Sequence, residues 1–232
     1  MGRFLPWRGS LMALALATTP LPAVELVEEY PVPVWWSVSL KVGVVPGISS
    51  LHAQGVDDSG QRVLDRRQSL EPELGTQVAV DLRWQYWWAE DAGFSYVTEI
   101  FHRQQRGTSG DIEATMTSIG VEVGVDALWG PPWDLPFDVA VGPRVGLGRA
   151  AQAESGMRLM DPGHGYLLTY GLNASVILAL RRAKIVTLEV GYQGFVASTE
   201  RSIGNETTVV GNGIMTATGH GLVANVGFGY EF

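Results

Sequence analysis

The 232-residue sequence contains no cysteine. That excludes a disulfide framework, a thiolate metal site, a cysteine nucleophile and a lipid anchor built on an acylated cysteine. Histidine is scarce, at four residues, and charged residues make up only 17% of the chain. No apolar run approaches the roughly 20 residues that a membrane-spanning helix needs. Positive charge is also lacking: the formal net charge is −8, which argues against nucleic acid or an anionic membrane surface as a partner. What the chain has in quantity is glycine (29 residues) and apolar residues (46%). The two are interleaved.

Read in steps of two, eight segments show an apolar face and a small-or-polar face, which is the period of a strand between two environments. The first, residues 34–45, sets Trp36, Val38, Leu40, Val42 and Val44 against Ser37, Ser39, Lys41 and Gly43. The others fall at residues 76–88, 93–103, 115–129, 137–148, 166–180, 185–197 and 219–232. In the third segment Val97 and Phe101 fall on the polar side, so its phase is the least regular. The connections alternate in length. Residues 89–92, 130–136 and 181–184 read as short turns; residues 46–74, 104–113, 149–165 and 198–213 read as long polar loops. Pro143 sits on the apolar face of the fifth segment and removes a ladder donor, which predicts a local bulge.

The last segment places Phe228, Tyr230 and Phe232 on one face and Gly227, Gly229 and Glu231 on the other. It resembles the C-terminal strand of bacterial outer-membrane β-barrels. The resemblance implies that Phe228, Tyr230 and Phe232 form the signal read by the barrel assembly machinery. It also implies outer-membrane lipids and lipopolysaccharide as surroundings. The fold to expect is all-β: a closed eight-stranded antiparallel up-and-down transmembrane β-barrel over residues 34–232, with both ends of the chain on the periplasmic side. Trp35, Trp36, Trp87, Trp88, Trp129 and Trp133 all fall at segment ends beside short turns or the first strand. Gathered at one rim, they make an interfacial aromatic girdle.

The same alternation suits a soluble lipocalin-like carrier turned inside out. The polar face decides between the two, because it is crowded with glycine, including Gly43, Gly120, Gly124, Gly142, Gly146, Gly171 and Gly191. On a solvated face glycine weakens a strand for no gain. Inside a narrow eight-stranded ring it leaves room for side chains.

On that inward face Lys41, Asp81, Arg83, Glu99, Glu122, Arg144 and Glu189 come to similar depth. Adjacent strands offer Lys41 with Asp81, Arg83 with Glu99, and Glu122 with Arg144, while Glu189 is protonated or reaches across to Lys41. Such a network resembles the filled interiors of small barrels of the OmpA and OmpX type. The expected lumen is therefore a plug of paired charges, and the alternative is a narrow gated channel in which the pairs exchange partners. Lipid A-modifying barrel enzymes use histidine with serine and an acid. Here His52 and His164 fall in loops, His102 and His220 near outer strand ends, and none reads as part of a triad, so no enzyme is expected. His52 with Asp57 and Asp58, or His164 with Asp161, is weak as a metal site, and no metal or cofactor is expected.

Arg3 and Arg8, an apolar stretch from Leu11 to Leu16, and Pro20 and Pro22 read as a cleavable export signal over residues 1–23, cut after Ala17 or Ala23. Residues 24–33 read as a short acidic periplasmic lead-in. The role to expect is structural or surface-interactive, with loops carried on a rigid scaffold. The first loop, residues 46–74, is the longest and most charged, and is the first candidate for contact with a partner that the sequence does not name.

Overall fold

The computed structural model describes residues 34–232, apart from residues 58, 90, 131–135, 156–158, 181–182 and 206–207. The export signal, the lead-in and Trp133 lie outside the described residues. Ten strands form one antiparallel sheet: β1 (Val34–Val45), β2 (Ser50–Asp57), β3 (Arg62–Ser69), β4 (Glu71–Trp87), β5 (Ala92–Ser109), β6 (Ile112–Trp129), β7 (Phe137–Ser155), β8 (Leu159–Ala179), β9 (Lys184–Asn205) and β10 (Thr208–Glu231). Eight of them close a ring in the order β1-β4-β5-β6-β7-β8-β9-β10, and β10 pairs back onto β1. Phe232 seals that seam, donating to Trp36 O at 2.7 Å and accepting from Trp36 N at 3.2 Å.

The ring is strongly staggered. Ladder partners followed once round from Lys41 pass through Ala79, Phe101, Gly120, Gly148, Leu167 and Ala197 to Ala217 on β10. The β10 residue beside Lys41 is Gly227, ten residues further along. A stagger of that size tilts the strands by about 35–45° from the axis and leaves an interior just wide enough for side chains.

β2 and β3 carry the sheet beyond the ring. β2 pairs with β10 above the stretch where β1 pairs with it, and β3 pairs with β2. The turn between them is built by Asp57, whose Oδ1 accepts from Ser59 N and Gln61 N at 2.9 Å each, with Gly60 at φ +80°. Residues 46–74 are thus mostly strand rather than loop. Residues 104–113 are not a long loop either: Ser109 pairs with Ile112 across the two-residue turn Gly110–Asp111, with Gly110 at φ +59°. At the same end β7 to β10 also run well past the expected segment bounds.

Pro143 makes no bulge. It pairs with Leu172 on β8, while on the β6 side the ladder skips two steps between Gly124↔Arg144 and Ala127↔Val141 and resumes in the same register. Without an N–H, the proline interrupts bonding and leaves the count of residues unchanged.

Candidate functional site

The alternation turns two chemically opposite faces in and out. Lys41, Arg83, Arg103, Arg144, Asp81, Glu99, Glu122, Asp126 and Glu189 all face the lumen and are at most 5% exposed. Lys41 Nζ lies 3.4 Å from Asp81, 3.0 Å from Glu99 and 3.1 Å from Glu189. Arg83 meets Asp126 at 3.0 Å, and Arg144 forks onto the same carboxylate, its Nη2 donating to Oδ2 at 2.9 Å. Arg103 meets Glu122 at 2.8 Å and donates to Gln77. Neutral amides complete the layer: Gln77 donates to Glu99 at 2.9 Å, Gln193 to Glu122 at 3.2 Å and Asn225 to Glu189 at 2.8 Å. Buried charges persist only when paired and hydrogen-bonded in this way.

These partners differ from two of the pairs read along adjacent strands. Arg83 joins Asp126 rather than Glu99, and Arg144 joins Asp126 while Glu122 goes to Arg103. Long side chains in a tilted ring reach diagonally, so the direct cross-strand neighbour is not the partner. Arg103 and Asp126 were the omissions of the sequence reading. Both share the inward parity of Glu99 and Glu122, which is the signal that locates them. Glycine makes the room: a Cβ on Gly124 would strike Arg144, and one on Gly146 would strike Glu122.

Apolar layers close both ends of the charged layer. Towards the tryptophan-rich end, Leu128, Ala140, Ile177 and Ile185 pack together with Trp87 against them. Trp87 therefore turns inward and does not belong to the girdle. Towards the hairpin end lies a larger cluster that includes Phe101, Met116, Leu167, Phe195 and Met215, with Ile48 and Leu70 packed into it. Arg103 stacks its guanidinium 3.9 Å above the Phe101 ring, where the charged and apolar layers meet. Residues 46–49 cross here. Ile48 N donates to Arg106 O on β5 at 2.9 Å, and Ser49 N to Thr218 O on β10 at 2.8 Å. They bridge two strands that flank β1 and β4 in the ring.

The outer surface is the inverse. Leu40, Val42, Ile100, Leu147, Leu172, Val190 and Leu222 all point outward, Leu222 with 75% of its surface exposed. A continuous band of bare aliphatic side chains around a charged interior is a surface made for hydrocarbon. At one edge of the band Trp36 stacks on Trp84 and Trp84 on Tyr96, each at 5.6 Å, with Trp88 and Phe94 beside them. Trp35, Trp36, Trp88 and Trp129 are all exposed at this rim. The chain is a closed eight-stranded β-barrel with a membrane-facing outer surface.

No protein-family model matches the barrel's sequence, and no curated protein matches it. Solved structures do. It is similar to the outer membrane protein OprG from Pseudomonas aeruginosa, at 18% identity over 86% of this chain and 95% of that one, with a TM-score of 0.47. It is similar to the outer membrane protease OmpT from Escherichia coli, at 10% identity over 85% and 97%, TM-score 0.40. It is also similar to Ail, the attachment invasion locus protein of Yersinia pestis, in complex with the heparin analogue sucrose octasulfate, at 12% identity over 85% and 99%, TM-score 0.39.

The barrel's histidines lie away from the charged layer. His102 and His220 are exposed on the outer face of β5 and β10. His52 and His164 stand in strands β2 and β8 rather than in loops. His52 Nε2 lies 2.9 Å from Asp65 Oδ1 on β3, and Asp65 is also 2.9 Å from Arg62. The His52 hydrogen bond, with Arg62 behind it, holds the Asp65 carboxyl below the usual carboxylate range. Among the described residues no group of three or more histidine and acidic side chains is placed to hold a metal ion.

Proposed function

We propose that this barrel is a closed, non-catalytic scaffold whose task is to hold hairpins outside the cell for contact with a partner. The observation that carries the reading is the filled lumen. Three layers of side chains, apolar, charged and apolar, occupy it from rim to rim, and residues 46–49 cross its upper part. A ring of eight strands offers no further room. The cost of building strands far beyond the membrane makes sense when the extensions do work there. About 9–11 residues suffice for a tilted strand to cross, yet β8, β9 and β10 have 21, 22 and 24. Outer-membrane lipid and lipopolysaccharide surround the band of aliphatic side chains, and the exposed face of the closing strand, Phe228, Tyr230 and Phe232, is what the assembly machinery meets.

A narrow channel is the second reading. It is favoured by one observation: four cations face five carboxylates among the described residues of the lumen, so polar groups line the middle of the path. The apolar layers above and below weigh against it, because each is a hydrophobic constriction.

Protease treatment of intact cells tests the scaffold reading. The turn between Asp57 and Gln61 is cut first, and the strands in the membrane stay protected. Cutting that needs prior lysis would place the hairpins on the wrong side and overturn it.

A further inference from the structure

The β2–β3 hairpin ends in an open edge. In the sheet order β3 is last, bonded to β2 on one side, and among the described residues no strand bonds its other side. Its foot lies beside the β5–β6 hairpin, where Gln68 Nε2 donates to Ser109 Oγ at 3.0 Å. That hairpin turns back at once through Gly110–Asp111. Among the described residues no strand pairs with residues 62–67 of β3 on the side away from β2. Six of the eight residues from Arg62 to Ser69 are exposed, and only Leu64 and Gln68 are partly buried.

The strand at the open edge carries three arginines and one aspartate. Arg62 is tied to Asp65. Arg66 and Arg67 make no ion pair among the described residues, although Arg67 lies close enough to lower the Asp65 carboxyl further. Successive residues of a strand point to opposite faces. Arg66 therefore presents its charge on the face shared with Leu64 and Gln68, and Arg67 on the face shared with Asp65.

We propose that the free edge of β3 is a docking site for an extended acidic peptide segment of a partner protein, added to the sheet as a further strand. The inference rests on the scaffold reading, since it needs the hairpin outside the cell. Backbone hydrogen bonds to an exposed edge supply affinity in strand addition, and side chains at alternate positions supply selectivity. Two adjacent acidic residues satisfy the edge, one opposite Arg66 and one opposite Arg67, with β-branched neighbours to pack on the exposed Val63. A second copy of β3 is a poor occupant, because its own arginines would face these two across the new ladder.

Fluorescence anisotropy with the full chain folded in detergent micelles decides the matter. The probe is a labelled peptide Thr-Val-Glu-Glu-Val-Thr. Its controls are the same sequence N-methylated at alternate amides, which keeps the charge and cannot pair, and the lysine counterpart. The expected result is saturable binding at least about tenfold tighter than either control, and a loss of about tenfold in an Arg66→Glu, Arg67→Glu double variant. Equal binding of the methylated peptide, or no saturable binding, overturns the proposal. If the double variant fails to fold, the comparison of peptides on the unaltered protein still decides. Protease cutting at the hairpin on intact cells with no peptide binding sinks this inference alone; cutting only after lysis sinks the scaffold reading instead.

Discussion

Lys41 on β1 and Glu189 on β9 meet at 3.1 Å although β10 lies between their strands. The contact crosses the lumen, and Asn225 of the intervening strand donates to the same Glu189 carboxylate at 2.8 Å. Lys41 also holds Asp81 and Glu99, so one ammonium ties together four strands counted round the ring. Removing it leaves buried carboxylates without their cation. Lys41→Met is expected to cost about 3–5 kcal/mol, read as a lower urea midpoint of the folded barrel in lipid vesicles. Adding Glu189→Gln restores part of the loss, with a coupling of about 0.5–3 kcal/mol in the double-mutant cycle. Strict additivity of the two changes contradicts the contact.

The interior is tight enough that single methyl groups matter. A Cβ on Gly120 would stand 2.6 Å from both Leu147 O and the Phe101 ring tip. The backbone oxygen has no rotamer to change. Gly120→Ala is expected to destabilise by about 1–3 kcal/mol, measured in the same urea titration. A neutral result would mean that the two strands separate more easily than a ladder of paired residues permits.

The outer band discriminates a membrane face from a wetted one. Val190 on β9 is 61% exposed and flanked by Leu188 and Tyr192 on the same face. In hydrocarbon near the bilayer midplane, Val190→Arg costs about 2–4 kcal/mol. On a surface in water it costs almost nothing. Folding yield into vesicles, scored by the fraction resistant to unheated detergent, separates the two.

Acid affects the hairpin through Asp65. Its folded carboxyl titrates below the unfolded one, chiefly because of the His52 hydrogen bond. A depressed acid contributes stability above its unfolded pKa, about 3.9, and loses it as pH falls through the lower folded value. Amide protection of β2 and β3, corrected for intrinsic exchange, is therefore expected to hold steady down to about pH 4 and to fall below it. Asp65→Asn removes the step. Protection that declines equally in both proteins contradicts the assignment.

The ring was legible because its two faces differ so sharply. From Val34 to Val45, aliphatic and tryptophan side chains alternate with serine, lysine and glycine, and β1 has those same bounds. The strands beyond the membrane were not legible, because there the contrast fades. In β3, Asp65, Arg66 and Arg67 are polar on both faces, so period two leaves no trace. β2 does alternate, Leu51 and Ala53 against His52 and Gln54, but over only eight residues with few large apolar side chains. The inward charges were visible from parity, and the pairing was not. A stagger of ten residues moves each side chain's true neighbour away from its ladder partner, which no local pattern records. Val97 and Phe101 broke the inward polar pattern for a physical reason: both are 1% exposed inside the barrel, and Phe101 belongs to the apolar layer that closes the charged layer on the hairpin side.

The most direct test of a closed lumen is electrical. The purified barrel, shown to be folded by its shift in migration on heating, is inserted into a planar lipid bilayer and the current is recorded at fixed voltage. A lumen filled in three layers predicts a flat trace, indistinguishable from lipid alone. Discrete current steps that depend on the protein, and that change size in Glu122→Gln or Arg144→Ala, would contradict the account and make the charged layer a conducting path.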